Sequence, residues 1–322
     1  MKQFNISHEY NIDLWDEGVT DRKGADTSWI FASLNPIRQA VERKLNMKQK
    51  NFRLSTAYLI YYDILEKSAQ YINAYAKGDR SVLLKDIDNS CDWSRFSYLV
   101  KKYGLAPLSA MPDEHCGHTG SALYVVNNRL KLGFAELDRG ENTPEGIIAN
   151  IKSILNDKLG EPPEEFVISY MNNKDEIINL EGLTPLGFYE SIIDLTDYEE
   201  MPCSKALVVN QLKAGEQVVV LADTRHQSNA MLGILDTDFI DSTDLFGTDA
   251  VMTKEDKIKY GIIKPYEYLS IDGVQLENGI PVRFKAQATS GAEIGVDGHY
   301  TMSEKWFDEY VLKAVINKRY GV

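Results

Sequence analysis

His115-Cys116-Gly117-His118 sets three potential metal ligands within four residues. Adjacent ligands with a third two residues on could wrap Zn²⁺ in a loop. The spacing is not that of an established structural site and no second ligand cluster accompanies it, which favours a polar surface loop with a chance cysteine. Asp223-Thr224-Arg225-His226 follows the end of an expected strand, where functional loops often begin. Asp223 and His226 there are an alternative acid–base pair, set against the plainer reading of a solvated loop histidine. Asp236, Asp238, Asp241 and Asp244 carry enough carboxylates for Ca²⁺ but lack the EF-hand pattern, which favours a solvated acidic face. Ser28 lies at or near the start of a buried helix. These residues give no metal and no cofactor.

The elements that must position such residues are legible in outline. Ile30, Phe31, Leu34, Ile37, Val41 and Leu45 form one apolar stripe at helical spacing, behind the cap-type residues Asp26, Thr27 and Ser28. A second helix begins near Ser55 and can end at Gly78 in the left-handed conformation. A third covers about 92–103 before Gly104, and a fourth about 121–137. Thr143-Pro144-Glu145 opens a fifth through Leu159, with Gly160 after it. The second half changes character. Residues 166–170 and 218–221 are apolar and β-branched, 266–271 alternates, and Asn278-Gly279 is a hairpin turn between two strand candidates. Residues 311–317 read as a last strand, and short helices follow Thr253 and Ser303. The expected architecture is α+β: a helical lobe over about 20–195, then an antiparallel-sheet lobe over about 196–322, packed as one domain with a cleft between.

Composition narrows the function. The 322 residues are 43% hydrophobic and 26% charged, which is globular. Lys and Arg total 35 against 48 Asp and Glu, so the net charge is −13. A chain this acidic, with no local basic patch, is not expected to bind nucleic acid. No apolar run reaches the roughly 18 residues of a membrane span, and the N-terminus has no apolar signal core. Three cysteines, an odd and sparse set, point to a reducing cytoplasm. Most of the 18 tyrosines sit at helical spacing and read as packing.

Several blocks, in order, carry a resemblance. Val19 to Asn35, containing Asp26-Thr27-Ser28-Trp29, is similar to the nucleophile segment of the bleomycin hydrolase/aminopeptidase C family of papain-like cysteine peptidases. Phe52-Arg53-Leu54-Ser55 through Ser68, Lys102 to Pro107, Gly233 to Asp238 and Met302 to Val311 resemble further blocks of it. The match runs from about Ile12 to Tyr320 and implies the papain-like fold. Against that family the leading helical segment and the C-terminal tail are missing, and 195–212 looks trimmed where the family carries an oligomerisation arm. The family hexamer is therefore in doubt, and a smaller homo-oligomer or co-assembly with an active homologue is the expectation.

Papain-type chemistry needs a thiolate at a helix N-terminus, a His as base and acid, an Asn to orient it, and a Gln as oxyanion donor. The resemblance puts Ser28 at the Cys position, Glu267 at the His position, Ala288 at the Asn position and Arg22 at the Gln position. A Gly-Gly pair that admits the substrate backbone aligns with Ser90-Cys91, Asp26 replaces the small residue ahead of the nucleophile pair, and Asp26, Trp29, Ser90 and Cys91 are the expected ligand-binding positions. None of the five histidines, His8, His115, His118, His226 and His299, lies in 261–291. The opposite charges of Arg22 and Glu267 suggest an ion pair plugging the old centre, with Glu267 sharing a strand face with Leu269 and Ile271. The expectation is a pseudo-peptidase that binds a peptide or protein. Its rival is a re-purposed hydrolase or acyltransferase using Ser28.

Overall fold

Thr143, Pro144 and Gly160 bound a helix as their types dictate. The Thr143 hydroxyl accepts from the Gly146 amide, the proline occupies the first turn, and Gly160 turns the chain away at φ +94°. The computed structural model describes residues 7–14, 18–113, 119–239 and 252–320. The chain divides into two compact units: Arg22–Ile30 with Ala40–Ile193, and Met1–Asp21 with Phe31–Gln39 and Asp194–Val322. Helix α1, Ser28–Lys44, contributes residues to both.

The first unit is mainly helical. It holds α2 (Thr56–Ala76), α3 (Trp93–Tyr103), α4 (Thr119–Asp138), α5 (Pro144–Leu159) and α6 (Pro185–Ile192). Ser55 caps α2 by accepting from the Tyr58 amide, and Asp113 takes the free amides of Thr56 and Ala57. Gly104 ends α3 at φ +81°, where a Cβ would lie 2.1 Å from the Pro185 carbonyl carbon, so no other residue fits. Leu59, Ile64, Leu130, Phe134, Ile147, Ile151 and Leu155 are fully buried. The strand read at 166–170 is β2 (Phe166–Met171). Among the described residues it pairs with β3 (Ile177–Leu183) alone, as a two-stranded hairpin within this helical unit.

The second unit is built on a sheet of nine strands among the described residues. They are β1 (Ile12–Asp13), β4 (Tyr198–Pro202), β5 (Val218–Ala222), β6 (Ser228–Asn229), β7 (Ile234–Leu235), β8 (Glu267–Glu277), β9 (Ile280–Gln287), β10 (His299–Ser303) and β11 (Val311–Asn317). Their order is β4-β11-β5-β8-β9-β10-β7-β6, with β1 on β8. All pairs are antiparallel except β10 with β7. Asn278 (φ +51°) and Gly279 (φ +82°) make the tight β8–β9 turn. Helices α7 (Lys205–Lys213), α8 (Lys254–Lys259) and α9 (Glu304–Tyr310) complete the unit, with Thr253 and Ser303 capping the last two. Val218, Val220, Leu269, Ile271, Phe284, Trp306 and Val311 anchor one core.

Candidate active site

In the helical unit the chain reaches α1 through a tight turn. Lys23 (φ +50°) and Gly24 (φ +77°) are both left-handed, and the Ala25 amide bonds back to the Arg22 carbonyl at 3.0 Å. Asp26 is exposed. Thr27 is the N-cap, yet its side chain makes no cap bond, so the capping expected from Asp26-Thr27-Ser28 is absent from that hydroxyl. Ser28 is the first residue of α1 and only 4% exposed.

Trp29 is buried beside it and fixes the neighbouring loop. Its indole Nε1 donates to the Asn89 carbonyl at 2.7 Å, and its ring meets Phe96 edge-on. The Ser90-Cys91 step follows directly. The Ser90 amide and hydroxyl both donate to Asp88 Oδ1, and its carbonyl accepts from Lys67 Nζ at 2.8 Å. Lys67 also reaches Asp63 Oδ2 at 2.7 Å, and Arg95 Nε reaches Asp63 Oδ1 at 2.8 Å. Asp63 is 2% exposed, so two cations hold a buried carboxylate, and the lysine ties the loop to it. Sequence reasoning missed Lys67 and Asp63; their i, i+4 spacing on α2 was the available signal. The unit thus brings Ser28, Trp29 and the 89–91 loop together. Burial, then the Asp63 charge, pushes the Cys91 thiol far above the usual range.

In the sheet unit Glu267 opens β8 opposite Ala222. It is 4% exposed, and the Thr224 hydroxyl donates to its Oε2 at 2.7 Å. The partner lies 43 residues away, within the loop singled out above. Ala288 is fully buried in the core; its amide donates to the Gly298 carbonyl at 3.0 Å. Thr289 follows at φ +49°, an outlier for a β-branched residue. Preceding it, Gln287 Oε1 accepts from Asn35 Nδ2 at 2.7 Å and from the Thr20 hydroxyl at 3.0 Å. Gly291 donates to the Thr20 carbonyl, and Asp21 bridges to Ser290. The segment leading to Arg22 is therefore laced onto the 287–291 loop. Sequence reasoning missed this network as well. Asn35, polar beside the apolar stripe of α1, was its signal. Arg22 falls in the helical unit and Glu267 in the sheet unit.

The other candidates resolve differently. Asp223 is fully buried and clamped by Arg225 at 2.8 and 2.7 Å and by the Lys264 amide. Burial alone would raise its carboxyl; these donors outweigh it and hold the group below its usual value. His226 Nε2 bonds the Ile262 carbonyl at 3.0 Å and lies 3.6 Å from Asp223. Both residues therefore brace a loop. Asp236 accepts from the Asp238 amide in a local turn. The His115, Cys116, His118, Asp241 and Asp244 positions lie outside the described residues. Among those described, no group of three His, Cys, Asp or Glu is placed to hold a metal, and no helix is long and apolar enough to cross a membrane.

Comparison with known proteins places this geometry in a family. The model of the Peptidase C1-like family matches residues 2–204 and 197–321. Aminopeptidase E of Lactobacillus helveticus is 26% identical over 373 residues, covering 99% of this chain and 85% of that protein. Aminopeptidase C of Listeria monocytogenes is 27% identical over 369 residues, covering 98% and 82%. The crystal structure of PepW from Lactobacillus rhamnosis HN001 (DR20) is 26% identical, with a TM-score of 0.87 over 98% of this chain and 83% of that one. The fold is accordingly α+β and papain-like.

Proposed function

The chain belongs to the Peptidase C1-like family, and on that premise we propose that it is a pseudo-peptidase, which holds a peptide or protein ligand without hydrolysing it. The resemblance assigns the nucleophile, base, orienting and oxyanion positions to Ser28, Glu267, Ala288 and Arg22. The observation that carries the reading is the state of Glu267, a buried carboxylate already engaged by Thr224. A hydrogen bond donated to a carboxylate stabilises its charged form and weakens it as a base. Serine needs a strong, well-aimed base, because a helix dipole contributes only about 0.3–2 kcal/mol. A methyl group at Ala288 orients nothing. Ser90, with its carbonyl engaged by Lys67, supports the same reading for the substrate-binding step.

A second reading, residual serine-based hydrolysis or acyl transfer, draws on Ser28 at the first turn of α1. The relatives named above are aminopeptidases, so aminoacyl and peptidyl amides and esters are the substrates to try. Purified protein and Ser28→Ala, run in parallel on such a fluorogenic panel, separate the readings. The pseudo-peptidase shows no turnover in either. Turnover that disappears in Ser28→Ala establishes a serine enzyme. The pseudo-peptidase would act in the cytoplasm, alone, as a small homo-oligomer, or in co-assembly with an active homologue.

A further inference from the structure

In the sheet unit, four strands place one row of residues side by side. Asp13 of β1 faces Gly273 of β8, Gly273 faces Lys285 of β9, and Lys285 faces Thr301 of β10. Gly273 leaves the row open at its second position. A Cβ there would lie 3.1 Å from the Lys285 Cβ and 3.1 Å from the Ile12 carbonyl oxygen. Lys285 lies across this gap, with Nζ 2.9 and 3.2 Å from the two Asp13 oxygens. Thr301 Oγ1 meets both His8 Nδ1 and the Tyr10 hydroxyl at 2.7 Å.

Above the row is a cavity of about 230 Å³, walled by His8, Tyr10, Asp13, Lys285, His299 and Thr301. The His299 ring is held between two oxygen atoms. Nε2 lies 2.8 Å from Asp272 Oδ2 and Nδ1 lies 2.9 Å from the Asp297 carbonyl. Two such oxygens favour a proton on each ring nitrogen. Lys285 and His299 are each buried, and each is held by a carboxylate.

We infer that this cavity binds a small zwitterion of the α-amino-acid class, its carboxylate toward Lys285 and its ammonium toward Asp13. The volume is below the roughly 300–1,000 Å³ of sites for drug-sized molecules, so the occupant is small. The walls carry charged groups of both signs, the Asp13 and Asp297 carboxylates against Lys285 and His299. A simple anion would draw Lys285 from Asp13 and leave that carboxylate uncompensated. A zwitterion replaces the Lys285–Asp13 contact at both ends at once. Tyr10 and Thr301 add hydroxyls that bond either end. Every residue of the site lies outside the Ser28, Glu267, Ala288 and Arg22 positions, so the inference stands apart from the pseudo-peptidase reading.

Isothermal titration of the full chain with the standard free amino acids tests it. The expected result is saturable binding of at least one. Its N-acetyl and amide derivatives, each lacking one charge, then bind about tenfold more weakly or worse, a difference of about 1.4 kcal/mol. Asp13→Asn and Lys285→Gln weaken binding by a similar factor. Val296 lines the same cavity and is 43% exposed, so Val296→Trp fills the space on a tolerant position and abolishes binding even where Lys285→Gln fails to fold. No saturable binding by any amino acid overturns the inference. So does an N-acetyl derivative that binds equally well, or binding that survives Val296→Trp.

Discussion

The Thr224 hydroxyl donates to Glu267 Oε2 at 2.7 Å, and both residues are buried. That bond ties the start of β8 to the loop after β5 and satisfies a carboxylate that the sheet would otherwise enclose. Thr224→Val keeps the shape and removes the donor. Hydrogen bonds to charged groups contribute about 1.5–3 kcal/mol, so urea unfolding should show a loss of that order. An unchanged midpoint would mean that Glu267 does not depend on Thr224.

Gln287 is a second such anchor. Its Oε1 accepts from Asn35 and Thr20, and Gln287→Leu strands both donors. The expected cost is about 2–6 kcal/mol, from about 1–3 kcal/mol for each unsatisfied group. Limited proteolysis should then cut the segment around Thr20 faster than in the wild type.

Neither described cysteine is expected to behave as a nucleophile. Burial, then Asp63, raises the Cys91 thiol far above its usual range, and burial pushes Cys203 up to about 12. Peptide mapping after iodoacetamide treatment at about pH 8, close to the usual thiol value, should find both sites slow in the folded chain and fast in urea. Rapid labelling of Cys91 in the native protein would reopen it as a catalytic thiol.

The His299–Asp272 pair gives a pH signature. Burial opposes the charged ring, but the Asp272 hydrogen bond and charge outweigh it, against a smaller opposing charge from Lys285, and hold the ring's pKa above its usual value. The folded ring therefore keeps its proton to higher pH than an unfolded histidine, which titrates at about 6.5. Its contribution is complete below that pH and is lost as pH rises through the raised folded value. The stability gap between wild type and His299→Gln should narrow from about pH 6 upward. A gap that widens with pH would contradict the assignment of an imidazolium.

Local signals were legible where one residue forces one conformation. Thr143, Pro144 and Gly160 bounded α5, Asn278-Gly279 placed the β8–β9 turn, and Val311–Asn317 read as a strand from its apolar, β-branched run. The hairpin strand β3 and the edge strand β4 were missed. Ile177–Leu183 and Tyr198–Pro202 do not alternate apolar and polar residue types and neither holds a buried residue, so their pairing is set by their partners and not by their own pattern. Ser28 at a helix start was readable from its cap-like surroundings. Thr224 with Glu267, Gln287 with Asn35, and Asp272 with His299 were not, because each pair is distant in sequence and meets only once the unit has folded.

The most direct test of the central claim is the intact mass of the protein after incubation with an activated aminoacyl ester and with a fluorophosphonate. Either reagent traps a working serine nucleophile as a covalent adduct, even when turnover is slow. The pseudo-peptidase account predicts an unmodified Ser28 with both. A stoichiometric adduct that maps to Ser28 and is absent from Ser28→Ala would contradict the pseudo-peptidase account.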